Sequence, residues 1–298
     1  MAGNMIYLAN EDNDSWLKTG RNHGNIRFIV PYLSHKFISQ YFRKDKRNGA
    51  VVFVGTIRHS NTRGAVRKLV GMNHTFIANN GSNRFGYTSF QHSSATTLAY
   101  ADVMLESLFC LAPPGGTITS RRLFDAISAR CIPIIVTGVD DCEFHNGTNE
   151  EDQTFRLKET LHNLPFSSSI PYWNFSIFVD QHKWITHTRQ VVQDIIDLPP
   201  EHVKDLQRGL EIWGPYFDYR DASGSLMVHL TQELLVLTRN DTKLALAMGG
   251  HTPSWAKEIL EKIPGKKLTE LKRERAKHEK AMTSELEDFR RRHCRDAF

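Results

Sequence analysis

Five short segments of this chain are almost wholly apolar, broken only by Arg27, Ser107 and Ser176: IRFIV (26–30), AVVFVG (50–55), SLFCLA (107–112), IPIIV (132–136) and FSIFV (175–179). A strand with one wet face alternates apolar and polar residues. A strand that does not alternate must be covered on both faces, as in a parallel sheet between helices. Between these segments the period lengthens to that of a helix, at 63–72 (Val66, Leu69, Val70), 95–106 (Leu98, Val103, Met104) and 120–130. Later stretches near 187–197, 201–213 and 225–238 read the same way. Strand and helix in alternation predict an α/β fold, a Rossmann-like doubly wound parallel sheet, with its ligand outside the carboxyl ends of the strands. Residues 140–172 show little periodicity and read as a long surface excursion. The charged end, 241–298, reads as a helical tail interrupted at Pro264-Gly265.

Charge narrows the partners. The formal net charge is +5, and from Lys257 onward 13 Lys/Arg face 9 Asp/Glu, so most of the excess lies in the tail. A nucleic-acid-binding body needs its own basic surface, and none is expected here. No apolar run approaches the roughly 18 residues that cross a bilayer. The opening residues, MAGNMIYLANEDNDSW, lack the basic-then-apolar order of a signal peptide.

Four cysteines (Cys110, Cys131, Cys142, Cys294) fit neither a disulfide scaffold nor a CxxC zinc spacing. Cys110 and Cys131 lie in apolar runs and are read as buried thiols, and one disulfide is possible whose pairing the sequence leaves open. Six Asn-x-Ser/Thr sequons begin at Asn13, Asn73, Asn80, Asn146, Asn174 and Asn240. With 16 Asn and 40 Ser plus Thr among 298 residues, chance gives roughly two. The excess favours a lumenal setting.

The segment FCLAPPGGTITSRRLFDAISARCIPIIV (109–136) carries the most chemistry. A strand stops at Pro113-Pro114, and Gly115-Gly116 lets the backbone turn and approach a ligand. Thr119 or Ser120 suits the N-cap of the next helix, whose free N–H groups and dipole favour phosphate. Arg121 and Arg122 add charge-assisted donors. At 100° per residue Leu123, Phe124 and Ile127 share one side, with Arg121, Arg122 and Asp125 turned away from them. Asp125 lies about 7.5 Å along the axis from Ser120, near the span from a diphosphate to its ribose. The same residues also fit a plain i,i+4 ion pair between Arg121 and Asp125 on a solvated face.

The segment resembles the signature of the exostosin-like glycosyltransferases, in which an FCL.P strand leads into SRRLFDAI and then GCIPVI. VVFVGTIRHSNTRGAVRKLV (51–70), FIVPY (28–32) and LPFSSSIPYWNFSIFV (164–179) resemble further blocks of that family in the same order. Two departures stand out: Arg130 occupies the family's Gly before Cys-Ile-Pro, and Gly115-Gly116 stands where Gly-Asp is common.

The resemblance implies the C-terminal, donor-binding half of a GT-B fold over 26–240. Residues 1–25 would then be a remnant of an acceptor-side domain or a linker, and 241–298 the tail. It also implies transfer of a sugar from a nucleoside diphosphate, expected to be a UDP-sugar, to a glycan acceptor. That transfer would be inverting and need neither metal nor cofactor. Gly55, Arg67, Gly115, Gly116, Ser120, Arg121, Arg122 and Asp125 are the donor-site residues it implies, and it names no general base. A Golgi lumenal location, an anchor outside this chain and a partner transferase subunit belong to the same expectation. The alternative is a catalytically inactive domain acting as a binding subunit.

Three weaker candidates remain. Asp12-Asn13-Asp14 has an Asp-x-Asp metal spacing, Asp140-Asp141 follows an apolar strand, and Tyr172 with Trp173 is an aromatic pair suited to stacking or to core packing.

Overall fold

The computed structural model describes residues 6–9, 26–34, 38, 47–55, 57, 61–79, 101–114, 119–138, 150–167, 169–220 and 224–231. The strands are β1 (Ile6–Ala9), β2 (Ile26–Ile29), β3 (Asn48–Gly55), β4 (Thr75–Asn79), β5 (Ser107–Ala112), β6 (Ile132–Thr137) and β7 (Ile177–Asp180). Helix α1 (Asn61–Gly64) runs into a 3-10 turn at Ala65–Leu69. It is followed by α2 (101–106), α3 (Arg121–Ser128), α4 (Glu150–His162) and α5 (Gln181–Thr186). Helices α6 (Thr188–Ile196), α7 (Pro200–Trp213) and α8 (225–231) complete the set.

β3 to β7 form one sheet in the order β4-β3-β5-β6-β7, every neighbouring pair parallel. This is the Rossmann-like α/β arrangement the alternating segments predict. Its central strands lack a wet face because each packs on two sides. Val51, Phe53, Phe109 and Leu111 join the larger core with Leu123, Phe124 and Ile127. Val52 and Cys110 instead join a second core with Met104, Leu105, Ala126 and Ala129. Within that second core Cys110 of β5 and Cys131, just ahead of β6, form a disulfide with Cα atoms 5.7 Å apart. The bridge joins neighbouring strands, which the sequence alone does not reveal.

Three expectations need correction. The apolar run at 26–30 does form a strand, but β2 pairs with β1 in a separate parallel two-stranded sheet, Ile6 opposite Ile26. The fifth place in the main sheet goes to β4, whose TFIAN is too short and too mixed to register as an apolar run. The segment 140–172 contains α4, thirteen residues long. Its anchors are polar: buried Arg156 and Thr160, with Arg156 Nε 2.7 Å from Asp180 Oδ2 on β7. A search for apolar periodicity passes over a helix held in that way.

The aromatic pair divides. Tyr172 is fully buried among Phe175 and Phe217, and its hydroxyl donates to the Pro165 carbonyl at 2.9 Å. Burial pushes that phenol well above its ordinary pKa. Trp173 is 60% exposed. The expected tail at 241–298 lies outside the described residues.

Candidate functional site

The carboxyl ends of β3 and β5 lie side by side, and α3 starts next to them. Ser120 takes the N-cap position with extended backbone (φ −145°, ψ 153°), though its hydroxyl makes no capping bond. Arg121 is exposed, while Arg122 is half-buried. From Leu123 to Ser128 the helix is buried all round, because the two cores grip it from both sides. Asp125 is therefore 1% exposed, and its carboxylate lies 3.5 Å from Arg121 Nε. The sequence turned Asp125 away from the packed side, to meet a ribose or to pair with Arg121 on a solvated face; the structure keeps the pair but encloses the carboxylate, because a second core covers that side of the helix.

Arg122 reaches inward. Its Nε donates to the Val54 carbonyl at 2.7 Å, and its guanidinium carbon stands 4.8 Å from the centre of the Phe53 ring. Gly55 makes this possible. A Cβ there would overlap Arg122 Nη2 and stand 2.7 Å from Cζ. The glycine expected to admit a ligand admits an arginine.

Beside it the fold inserts a residue not singled out by the sequence. Arg63 of α1 is buried, and its Nε donates to the Pro114 carbonyl at 2.9 Å, just past β5. Burial, and secondly the Arg122 charge, lower its pKa to about 10. Two guanidinium groups close enough for one charge to lower the other's pKa stand together at the strand ends, an arrangement suited to an anion. Arg67, the arginine expected in this role, stays exposed on the 3-10 turn. Nothing in NTRGAVRKL distinguishes the two. The choice depends on which turn of a short helix faces the sheet.

A second polar group stands at the ends of β6 and β7. Asp180 accepts from Arg156 with one oxygen and from the His182 and Lys183 N–H groups with the other, capping α5. Gln181 Nε2 donates to Thr62 Oγ1 at 3.2 Å, and Trp184 Nε1 donates to the Thr62 carbonyl at 2.7 Å. These bonds tie α1, and with it Arg63, to the far side of the sheet. Gly138, at φ 92°, lets the chain turn between them; a Cβ there would overlap Gln181 Oε1 and come within 2.9 Å of Arg156 Cδ.

Gly115, Gly116, Asp12, Asp14, Asp140 and Asp141 lie outside the described residues. An open depression of about 390 Å³ lined by Lys68, His187 and Arg189 holds none of the expected site residues.

Arg130, the departure from glycine, sits at φ 52°. Cys131 N–H bonds to the Ala126 carbonyl and Arg130 N–H to that of Ile127, the paired closure of a helix end that normally recruits glycine.

Fold and strand-end geometry define a Rossmann-like α/β domain of the GT-B type. The exostosin GT47 domain model matches residues 1–194, and the chain belongs to that family. Among curated proteins it is 26% identical over 226 residues to a probable arabinosyltransferase, ARAD1, of Arabidopsis thaliana, covering 73% of this chain and 44% of that protein. It is 28% identical over 123 residues to a probable xyloglucan galactosyltransferase, GT19, of the same plant, covering 41% of this chain and 24% of that one. A probable beta-1,4-xylosyltransferase, IRX10L, also of that plant, is 29% identical over 119 residues, with 40% and 22% covered. The chain spans less than half the length of these relatives.

Proposed function

We propose that this chain is the donor-binding part of a glycosyltransferase that moves a sugar from a nucleoside diphosphate, a UDP-sugar, to a glycan acceptor. The observation that carries the reading is the insertion of Arg63 and Arg122 together at the carboxyl ends of β3 and β5, beside the start of α3. Charge develops on the diphosphate as the bond to the sugar breaks. Preorganised cationic donors stabilise that charge without having to reorganise. Ser120 and the first N–H groups of α3 lie next to them and suit the same phosphates. Arg121 supplies a further cation at the exposed start of the helix, and the enclosed Asp125 carboxylate holds it there rather than meeting the ribose itself. Gly115 and Gly116 fit close passage of the backbone over the donor, and Arg67 a peripheral contact.

In this reading transfer is inverting and metal-independent, the general base comes from the acceptor side, and the enzyme works in the Golgi lumen. Names of the relatives support the reaction class. The Cys110–Cys131 bridge supports an oxidising compartment.

Calorimetric titration with UDP, GDP and ADP tests the donor site. We expect one nucleotide to bind, and Arg122→Ala and Arg63→Ala each to weaken it by roughly tenfold or more, the loss of one charge-assisted contact. Unchanged binding in both variants overturns the site. Release of sugar from a labelled donor distinguishes a transferase from a non-catalytic binding subunit.

A further inference from the structure

Asn73 stands in an exposed turn between the 3-10 turn at Ala65–Leu69 and β4, in the sequon Asn73-His74-Thr75. The turn is well defined. Met72 N–H bonds to the Leu69 carbonyl, Gly71 and His74 take positive φ (71° and 58°), and Thr75 Oγ1 donates to the carbonyls of Leu69 and Met72 at 3.1 and 2.7 Å. His74 then offers its own carbonyl to Val51 N–H of β3. Asn73 is thus a rigidly placed, outward residue at the entry of β4. β4 is the terminal strand of the sheet, paired with β3 alone among the described residues. A terminal strand presents a row of N–H and C=O groups that invites pairing with another chain. A second sequon, Asn80-Gly81-Ser82, begins at the residue after the last of β4, so the sequence brackets this strand with two of its six sequons. Of the other sequons only Asn174 has a described position; it too is exposed, but its backbone lies against Gly209 of α7, away from β4.

We infer that Asn73 carries an N-linked oligosaccharide that screens the edge of β4, the strand paired with β3 alone among the described residues, against intermolecular strand pairing. The inference rests on the lumenal placement proposed above, where the glycosylation machinery supplies a lipid-diphosphate oligosaccharide. Asn73 Nδ2 attacks the anomeric carbon of that donor. An N-glycosidic bond forms, the bond to the diphosphate breaks and its electron pair leaves with the lipid diphosphate, and the amide proton passes to the modifying enzyme. The bulky, hydrated product projects from a turn that its attachment does not disturb.

The full chain, directed into the secretory pathway of cultured eukaryotic cells by an added signal sequence, tests this. Enzymatic glycan release in heavy-oxygen water should leave the label on Asn73 in most copies. Asn73→Gln should lose one glycan step in mobility and aggregate several-fold faster on mild warming. Asn73→Asp, nearly identical in shape, repeats the test should the first variant fold poorly. An unlabelled Asn73, or variants that aggregate at the wild-type rate, overturns the inference. A natural chain found in the cytosol would instead sink the lumenal reading, since forced delivery makes the Asn73 result independent of it.

Discussion

Replacing Gly55 by alanine asks whether Arg122 is held where the geometry places it. The added methyl would overlap Nη2 and stand 2.7 Å from Cζ, so the guanidinium must leave. On leaving it gives up the 2.7 Å bond to the Val54 carbonyl and its place over the Phe53 ring. A hydrogen bond from a charged donor is worth about 1.5–3 kcal/mol. A cation over an aromatic face adds roughly 0.5–2 kcal/mol. Arg122 is only half-buried, so water recovers part of the sum, and we expect a net loss of about 2 kcal/mol. Arg122→Ala loses the same interactions. The two substitutions should therefore not add: whatever alanine costs at the Gly55 backbone itself, Gly55→Ala should cost about 2 kcal/mol less in an Arg122→Ala background than in the wild type. Urea unfolding followed by circular dichroism measures all four corners of the cycle. Nucleotide affinity should fall in parallel in both single variants. Costs that add, or a Gly55→Ala protein that binds nucleotide at full strength, refute the reasoning.

Arg130→Gly should stabilise the domain by about 0.5–1 kcal/mol, because glycine relieves a left-handed backbone that costs an L-residue about 1–2 kcal/mol. Its ion pair with Glu211, 3.8 Å apart and largely exposed, offsets little of that gain, and an unchanged midpoint in urea would contradict it. Arg156→Met leaves the Asp180 carboxylate without its buried partner and should cost about 3 kcal/mol in equilibrium unfolding. A loss under about 1 kcal/mol would show the pair to be screened by water. Replacing both Cys110 and Cys131 by alanine opens a loop of 21 residues and should cost about 3 kcal/mol. Identical denaturation of the variant and the oxidised protein would refute that.

The sheet was legible where burial writes itself into composition. SLFCLA is β5 residue for residue, and IPIIV lies within β6, because a strand covered on both faces can hold little but apolar residues. A helix starting at Thr119 or Ser120 with Leu123, Phe124 and Ile127 turned inward follows from propensity and periodicity, which act within a few residues, whereas the burial of Asp125 depends on the second core. Elements whose stability comes from distant partners were not legible. β4 is an edge strand that borrows its order from β3, and α4 is fastened by an ion pair to a residue 24 positions away. The same limit applies at the site. Local sequence set out the arginines and glycines near the strand ends, since charge and chain flexibility are properties of single residues. Only tertiary contacts decided that Gly55 makes room for Arg122, that Arg63 is the buried neighbour, and that Cys110 meets Cys131. Each of those choices depends on which surfaces meet when the sheet closes, and no short-range pattern encodes that.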